Sequence, residues 1–182
     1  MRRLAAFLVC AVMLAVVAAA MRPTLSAPPD AARVARTVEA LARLRTAVER
    51  HHADVGRYPR EYPHHPAATR ELTAPQPTAG WRGPYLEAPF RHADCPIGAR
   101  WFLHADAALP RLEGFDLDGD GAVEPRTTAS VLRIEYAEER WAEALDKVVD
   151  AGVPGAWRTT GRLRFANERA GKPGTADVLL HP

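Results

Sequence analysis

The sequence predicts an α+β fold, in which an N-terminal membrane segment leads into a long amphipathic helix that packs on a small antiparallel sheet. Three patterns predict it. An uncharged apolar stretch runs from Leu4 to Met21, a stripe of apolar residues follows at helical spacing, and four strand-like segments come late in the chain. Because the long helix precedes the strands and does not alternate with them, the order favours an α+β over a βαβ architecture.

Residues 1–22 have the features of a membrane anchor or a signal segment. Arg2 and Arg3 precede the apolar stretch, which as a helix rising about 1.5 Å per residue would extend roughly 27 Å, close to the thickness of a bilayer core. The alanines at 18–20 offer instead a small-residue cleavage site. Under either interpretation the positive N-terminus stays in the cytoplasm and the rest of the chain is exported.

Residues 23–56 are predicted to form an amphipathic helix after a proline-rich entry at 23–29. Asp30 is placed to cap a helix that runs to about Asp54, and Gly56 ends it. The apolar residues recur at steps of three and four positions, which puts them on one face: Val34, Val38, Leu41, Leu44 and Val48. This stripe requires a surface to bury it, and the chain's own sheet is the expected one.

Residues 57–182 are predicted to form a loop-rich head that contains the sheet. A proline-rich irregular segment is followed by strand patterns at 99–105, 130–137, 161–167 and 176–182. The last two flank a turn with Gly, Lys and Pro, which indicates a closing hairpin. Between the second and third strands lies a second predicted helix, one face of which carries Trp141, Leu145, Val148 and Val149.

The segment GFDLDGDGAVEP at 114–125 is the strongest candidate for a ligand site. Asp116, Asp118 and Asp120 alternate before Gly121, as in the D-x-D-x-D-G pattern of calcium loops. Calcium takes six to eight oxygen ligands, largely carboxylates and carbonyls, so alternating aspartates with a sharp glycine turn suit it. The sequence therefore predicts a calcium site here.

Two further ligands are predicted C-terminal to the aspartates. They are the backbone carbonyl of Ala122 and the carboxylate of Glu124, which would bind directly or through water. The position of the usual bidentate acid is occupied by Thr127, so a structural calcium loop is expected rather than a helix-loop-helix sensor. The alternative interpretation is an acidic, glycine-rich turn that is simply solvated.

The composition argues against two classes of function. Positive and negative side chains nearly cancel, giving a formal net charge of +2, so there is no basic footprint for nucleic acid. The short catalytic motifs with a defined mechanism, such as G-x-S-x-G and the glycine loops that cradle phosphate, do not occur. No catalytic residue and no organic cofactor is predicted, and the chain is expected not to be an enzyme.

The order of several short motifs resembles that of type IV pilin-like proteins, and most closely that of the major pseudopilin of type II secretion. An apolar segment ends at Pro23 and an amphipathic helix follows. GRYP at 56–59 and GWRGPYL at 80–86 come next, and ADCPIGARWFL at 93–103 stands where the family has a strand preceded by aspartate, proline and glycine. The apolar segment departs from the family pattern because it contains no glutamate.

This resemblance implies a long helix packed across a small antiparallel sheet, with calcium stabilising a loop near that sheet. It implies polymerisation into a short periplasmic fibre through the N-terminal helices, so that Val34 to Leu41 would also contact neighbouring subunits. The implied location is the bacterial inner membrane, with a single pass and a periplasmic or extracellular C-terminal domain, or secretion if the N-terminus is cleaved. The implied partners are other pilin-like subunits or secretion-system proteins and the inner membrane.

Two functions follow as expectations. The first is a pseudopilin-like structural subunit or accessory of a type II secretion or type IV pilus-like system, which acts in protein transport and whose head is stabilised by calcium. The alternative is a secreted or membrane-anchored, calcium-stapled binding module with a pilin-like fold that does not polymerise.

Overall fold

The computed structural model describes residues 29–62, 69–91, 95–105, 115–124, 129–167 and 172–181. The chain divides into two compact units, Met1–Ala32 and Arg33–Pro182. In the first unit the described residues are 29–32, the start of a helix. The hydrophobic core and all the sites described below belong to the second unit.

Helix α1 spans Pro29–Val55 and carries the predicted apolar stripe. Leu44 and Val48 are fully buried, and Val34 and Leu41 are nearly so, which confirms that the stripe is a core face. The helix ends where predicted, because Gly56 adopts a φ of 77° and its N–H donates to the carbonyl of His52 at 2.8 Å. A left-handed residue just past the last turn is favourable for glycine, which has no Cβ to clash.

Four antiparallel strands form one sheet in the order β1-β2-β4-β3. Their bounds agree with the predicted strand positions to within two residues: β1 Arg100–Ala105, β2 Ser130–Ala137, β3 Leu163–Ala166 and β4 Gly174–His181. β3 and β4 pair as the predicted closing hairpin. One face of the sheet is buried in the same apolar cluster as the α1 stripe, through residues that alternate along each strand, such as Trp101, Leu103 and Ala105.

Helix α2, Glu139–Val149, follows β2 directly, and its buried face differs from the predicted one. Trp141 and Leu145 are buried as expected, but Val148 is 52% exposed and Asp146 is buried. Val148 belongs to the predicted apolar face but lies outside the buried one, because the face that contacts the core is centred between Ala142 and Leu145 and reaches Asp146 instead.

The irregular segment that follows α1 covers the outer edge of the sheet. Glu61 pairs with Leu103 of β1 through two backbone hydrogen bonds, of 3.2 and 2.9 Å. Strand edges expose unpaired backbone groups, so a covering segment protects them from pairing with other chains. Farther along, the indole N–H of Trp101 donates to the carbonyl of Phe90 at 2.9 Å, which fixes the end of this segment on the same strand.

The predicted fold class requires one correction. Two helices and a four-stranded antiparallel sheet are α+β in general, but in the ranges described no helix is both long enough and apolar enough to cross a membrane. Helix α1 has the length, yet arginine and glutamate side chains line its exposed face, and charged groups are costly in lipid. The apolar stretch Leu4–Met21, on which the membrane part of the prediction depended, lies outside the described residues.

Candidate metal centre

The loop that carries the three aspartates, described over residues 115–124 and called the acidic loop below, lies against the sheet on the face opposite the main core. Phe115 packs with Val131 of β2 and Leu179 of β4 in a small separate apolar cluster, and Leu117 packs against it. Val131 and Leu179 are register partners whose neighbours Leu132 and Val178 face the main core. Because successive strand residues point to opposite faces, the loop lies across the other side of the sheet from α1.

The aspartates shape the loop through hydrogen bonds to its own backbone. The two carboxylate oxygens of Asp116 accept the N–H groups of Gly119 and Gly121 at 2.8 and 3.1 Å. Asp118 accepts the N–H of Asp120 at 3.1 Å, and Asp120 accepts the N–H of Ala122 at 2.7 Å. Such side-chain turns are typical of aspartate in tight loops, so the chain is preorganised with its three carboxylates converging.

The converging carboxylates have the spacing of a hard-cation site. One oxygen from each of Asp116, Asp118 and Asp120 lies within 4.8 Å of the other two, with Asp116 buried and the other two exposed. Calcium–oxygen distances of about 2.3–2.6 Å allow ligands on opposite sides of one ion to be up to roughly 5 Å apart. Three like charges this close repel one another, and a divalent cation would relieve that repulsion.

The other predicted ligands are placed differently. Glu124 accepts the N–H of Leu117 at 2.7 Å through one carboxylate oxygen, and its own N–H donates to Phe115 at 3.1 Å. Glu124 thus closes the loop, and it is not among the three residues whose oxygens converge. The N–H of Ala122 donates to the carboxylate of Asp120, and the carbonyl of Ala122 remains a predicted ligand. Thr127 lies outside the described residues.

A short segment before β3 joins the acidic loop to helix α2. The N–H of Gly161 donates to the carbonyl of Asp116, and the next two N–H groups, of Arg162 and Leu163, donate to the carboxylate of Asp150 at 2.7 and 2.9 Å. Gly161 has a φ of 87°, and a Cβ there would clash with the Asp150 side chain. Only glycine therefore suits this position, which couples the loop to the end of α2.

Sequence reasoning missed the carboxyl pair formed by Asp146 and Asp150. Asp146 is only 8% exposed, and one of its oxygens has no hydrogen-bond partner among the described residues. Burial, the charge of Asp150 and a hydrogen bond to it raise the pKa of Asp146 to about 6. The i, i+4 spacing was the available signal, since it puts two acids on one helical face.

Replacing Asp146 by asparagine is expected to stabilise the protein at neutral pH. Because folding raises the pKa of Asp146, protonation of its carboxyl stabilises the folded state. This contribution is complete below the unfolded pKa, near 4, and is lost as the pH rises through the folded pKa of about 6. The near-isosteric amide carries no charge and can donate to Asp150. The free energy of unfolding of the variant should therefore exceed that of the parent by about 1–3 kcal/mol at pH 7.5, and the difference should vanish near pH 4. Urea titrations from pH 4 to 8 measure it.

The comparison must be made against the parent at each pH, because other groups titrate in the same range. Burial lowers the pKa of His104 to about 4, which has the opposite effect on stability between pH 4 and 6.5. The charged neighbours of Asp146 are Glu143 and Lys147 on its own helix and Asp150 beyond the helix end. Glu138→Gln, at an exposed ion pair with Arg140, is the matched control and should change little. A difference independent of pH would contradict the assignment.

Comparisons of this chain with protein-family models, with curated proteins and with solved structures return no match.

Proposed function

We propose that this chain is a non-catalytic structural subunit or accessory of a type II secretion or type IV pilus-like assembly, with a head domain that acts outside the cytosol and is stabilised by calcium. The proposal rests on the pseudopilin-like order of sequence motifs and on the structural roles that the motif residues have. Its calcium component rests on the convergence of Asp116, Asp118 and Asp120 in a D-x-D-x-D-G loop.

The observation that carries the proposal is how the GWRGPYL motif is used. The hydroxyl of Tyr85 donates to Asp54 in the last turn of α1 at 3.0 Å, and its backbone N–H donates to Leu72 at 2.8 Å. The indole N–H of Trp81 donates to the carbonyl of Glu71 at 2.8 Å, and the two rings meet edge to face. These residues fasten the irregular segment to the end of the long helix, a structural role that suits a scaffold protein.

The calcium component favours an extracytosolic location. Calcium is abundant outside the cytosol, where structural loops bind it with dissociation constants of about 10⁻⁴–10⁻³ M. The apolar stretch behind Arg2 and Arg3 supports export of the domain that follows. A loop that is preorganised by its own hydrogen bonds and fixed to the sheet suits a permanently bound calcium ion better than a calcium-dependent conformational switch.

The alternative, a calcium-stapled binding module that does not polymerise, is favoured by two observations. The apolar segment lacks the glutamate that the resembled family carries there. In addition, Val34 and Leu41 are buried in the chain's own core, so contacts between subunits along this half of α1 would have to use its exposed face.

Site-specific photocrosslinking in the native host distinguishes the two functions. A benzoylphenylalanine at the exposed positions Ala35 or Glu39 of α1 is expected to give a ladder of crosslinked products, because subunits of an assembly would pack along this face. Mass spectrometry identifies the partners as second copies or other pilin-like chains. The same probe at Ala151, exposed after α2, serves as the control. If only uncrosslinked monomer is recovered with the probe at either α1 position, the assembly role is contradicted and the binding module remains.

A further inference from the structure

A cleft with a volume of about 440 Å³ lies on the sheet where β2 and β3 end and β4 begins. Glu135, Thr175 and Ala166 line it, as register partners in one row across these three strands. Glu135 shares a face of β2 with Val131, on which the acidic loop rests, but about 13 Å of strand separates the two residues. The cleft is therefore separate from the acidic loop, and its volume is within the range of about 300–1,000 Å³ that is typical of ligand sites.

Tyr136 is placed beside this cleft by a β-bulge. On β4 the partners of Glu135 and Ala137 are consecutive residues, so Tyr136 between them is an extra residue of β2. Its φ of 58° is the only positive value at a residue other than glycine in the described part of the chain. For a bulky side chain this conformation is strained, and strain of this kind is typical of functional sites.

The ring of Tyr136 is open to solvent in spite of this strain. The residue is 54% exposed, and the guanidinium of Arg100 lies over the ring, 5.5 Å from its centroid. Because a guanidinium covers at most one face of a ring, Arg100 steadies the ring and leaves the rest of it accessible. A strained backbone that presents an exposed ring adds nothing to the core, which favours a binding role for Tyr136.

Three polar side chains line the cleft besides Tyr136. They offer the carboxylate of Glu135, the ammonium group of Lys172 and the hydroxyl of Thr175. None of these three side chains takes part in a hydrogen bond or an ion pair with another described residue. A carboxylate only accepts hydrogen bonds, an ammonium group only donates them, and a hydroxyl does both. The ligand group that can pair with all three is a hydroxyl, because it both donates and accepts.

Net charge does not select the ligand. One acid, Glu135, and one base, Lys172, line the cleft. The two arginines near Glu135 are engaged, Arg100 with the tyrosine ring and Arg133 through two hydrogen bonds to Asp177, of 2.8 and 2.9 Å. The remaining signal is an aromatic ring beside groups that pair with hydroxyls. It fits a sugar ring, which has apolar C–H groups on its faces and hydroxyls around its edge.

We propose that this cleft binds a small neutral saccharide, with one pyranose ring packed against Tyr136 and its hydroxyls bonded to Glu135 and Lys172. The unpaired acceptor and donor beside a strained, exposed ring carry the choice of ligand. An amino-acid zwitterion is disfavoured because its charges would pair with Glu135 and Lys172 without using the tyrosine ring. The proposal is independent of the calcium loop and of the assembly role, neither of which uses these residues.

Saturation-transfer difference NMR with the purified full chain tests the proposal, in a buffer free of detergents with sugar headgroups. The probes are the methyl β-glycosides of glucose, galactose, mannose and N-acetylglucosamine. At least one of them should bind saturably with a dissociation constant of about 1 mM, as expected of a ligand with about a dozen non-hydrogen atoms. The largest transfer should fall on C–H protons of the sugar ring, because these would contact Tyr136.

Two variants of Tyr136 separate binding from packing. Tyr136→Asn removes the ring, yet asparagine is among the residues that best tolerate a positive φ. It should weaken binding about tenfold, the effect of one aromatic contact, while the melting temperature stays within about 2 °C of the parent or rises. Tyr136→Phe keeps the ring and should retain binding within about threefold. If Tyr136→Asn binds like the parent, or melts several degrees lower, the ring does not serve a ligand and the proposal is overturned.

Variants of the charged residues complete the test. Glu135→Gln and Lys172→Gln should each weaken binding about three- to tenfold, since each removes a charge-assisted hydrogen bond. Lys147→Gln, the same change at an exposed lysine of α2 outside the cleft, should leave binding unchanged. The proposal is overturned if Lys147→Gln has the effect of Lys172→Gln, or if no glycoside gives a saturable signal up to about 50 mM. It is also overturned if the zwitterion of free alanine binds through Glu135 and Lys172 while none of the glycosides does.

Discussion

Replacing Glu61 by alanine is expected to lower the free energy of unfolding by about 2–4 kcal/mol. Glu61 has no exposed surface, and its carboxylate accepts the N–H of Leu72 at 2.9 Å and the hydroxyl of Thr73 at 2.7 Å. Burial raises the pKa of Glu61, and these two hydrogen bonds oppose that rise. Alanine would leave the buried N–H of Leu72 and the partly buried hydroxyl of Thr73 without this acceptor, together with a cavity. Urea denaturation followed by circular dichroism measures the loss.

Two variants separate the hydrogen bonds from the loss of volume. Glu61→Gln should cost less than about 1 kcal/mol, because its oxygen can accept from Leu72 while its NH₂ donates to the Thr73 hydroxyl, which can turn to accept. Adding Thr73→Val to Glu61→Ala should recover part of the stability, since it removes an unsatisfied hydroxyl. If Glu61→Ala unfolds within 1 kcal/mol of the parent, the hydrogen bonds of the carboxylate to Leu72 and Thr73 do not stabilise this segment.

Calcium at 10 mM is expected to raise the melting temperature of the full chain by about 3–11 °C. With a dissociation constant of about 10⁻⁴–10⁻³ M, that concentration stabilises the folded state by roughly 1.4–2.7 kcal/mol. In a protein of this size, 1 kcal/mol corresponds to about 2–4 °C. Magnesium should have much less effect, because it demands a tighter octahedral geometry and gives up its water reluctantly. Differential scanning calorimetry with and without chelator measures the shift.

The double variant Asp118→Asn, Asp120→Asn is designed to remove charge and leave the loop intact. The asparagine oxygens can still accept the N–H groups of Asp120 and Ala122, so the turns should persist while calcium affinity falls at least tenfold. Glu39→Gln with Glu49→Gln, two acids on α1, is the matched control and should retain the full calcium effect. A parent protein with no calcium-dependent shift would leave the solvated turn as the correct interpretation of this loop.

The Glu61 substitution and calcium binding by the acidic loop affect opposite sides of the sheet. Glu61 fastens the irregular segment to β1, whereas the acidic loop rests on β2 and β4 and is joined to α2 through Gly161 and Asp150. Because these attachments share no residue, their contributions to stability should be nearly additive. A large departure from additivity between the Glu61 and Asp118/Asp120 variants would indicate coupling across the sheet.

Local patterns were sufficient to locate the regular elements. The stripe from Val34 to Val48 located α1 and the glycine at 56 located its end, because both signals depend only on neighbouring residues. The alternation in β1 and the turn between β3 and β4 located strands for the same reason. The D-x-D-x-D-G pattern likewise indicated where three carboxylates converge, since the loop is made almost entirely by its own neighbouring residues.

By itself, the sequence determined where the helices and strands lie and which loop gathers three acids, since each depends on residues within a few positions of one another. Only the tertiary structure decided the strand order β1-β2-β4-β3, the burial of Glu61 and Asp146, and the exposure of Val148. These depend on which distant segments meet, and contacts between distant segments leave no periodic trace in a single sequence.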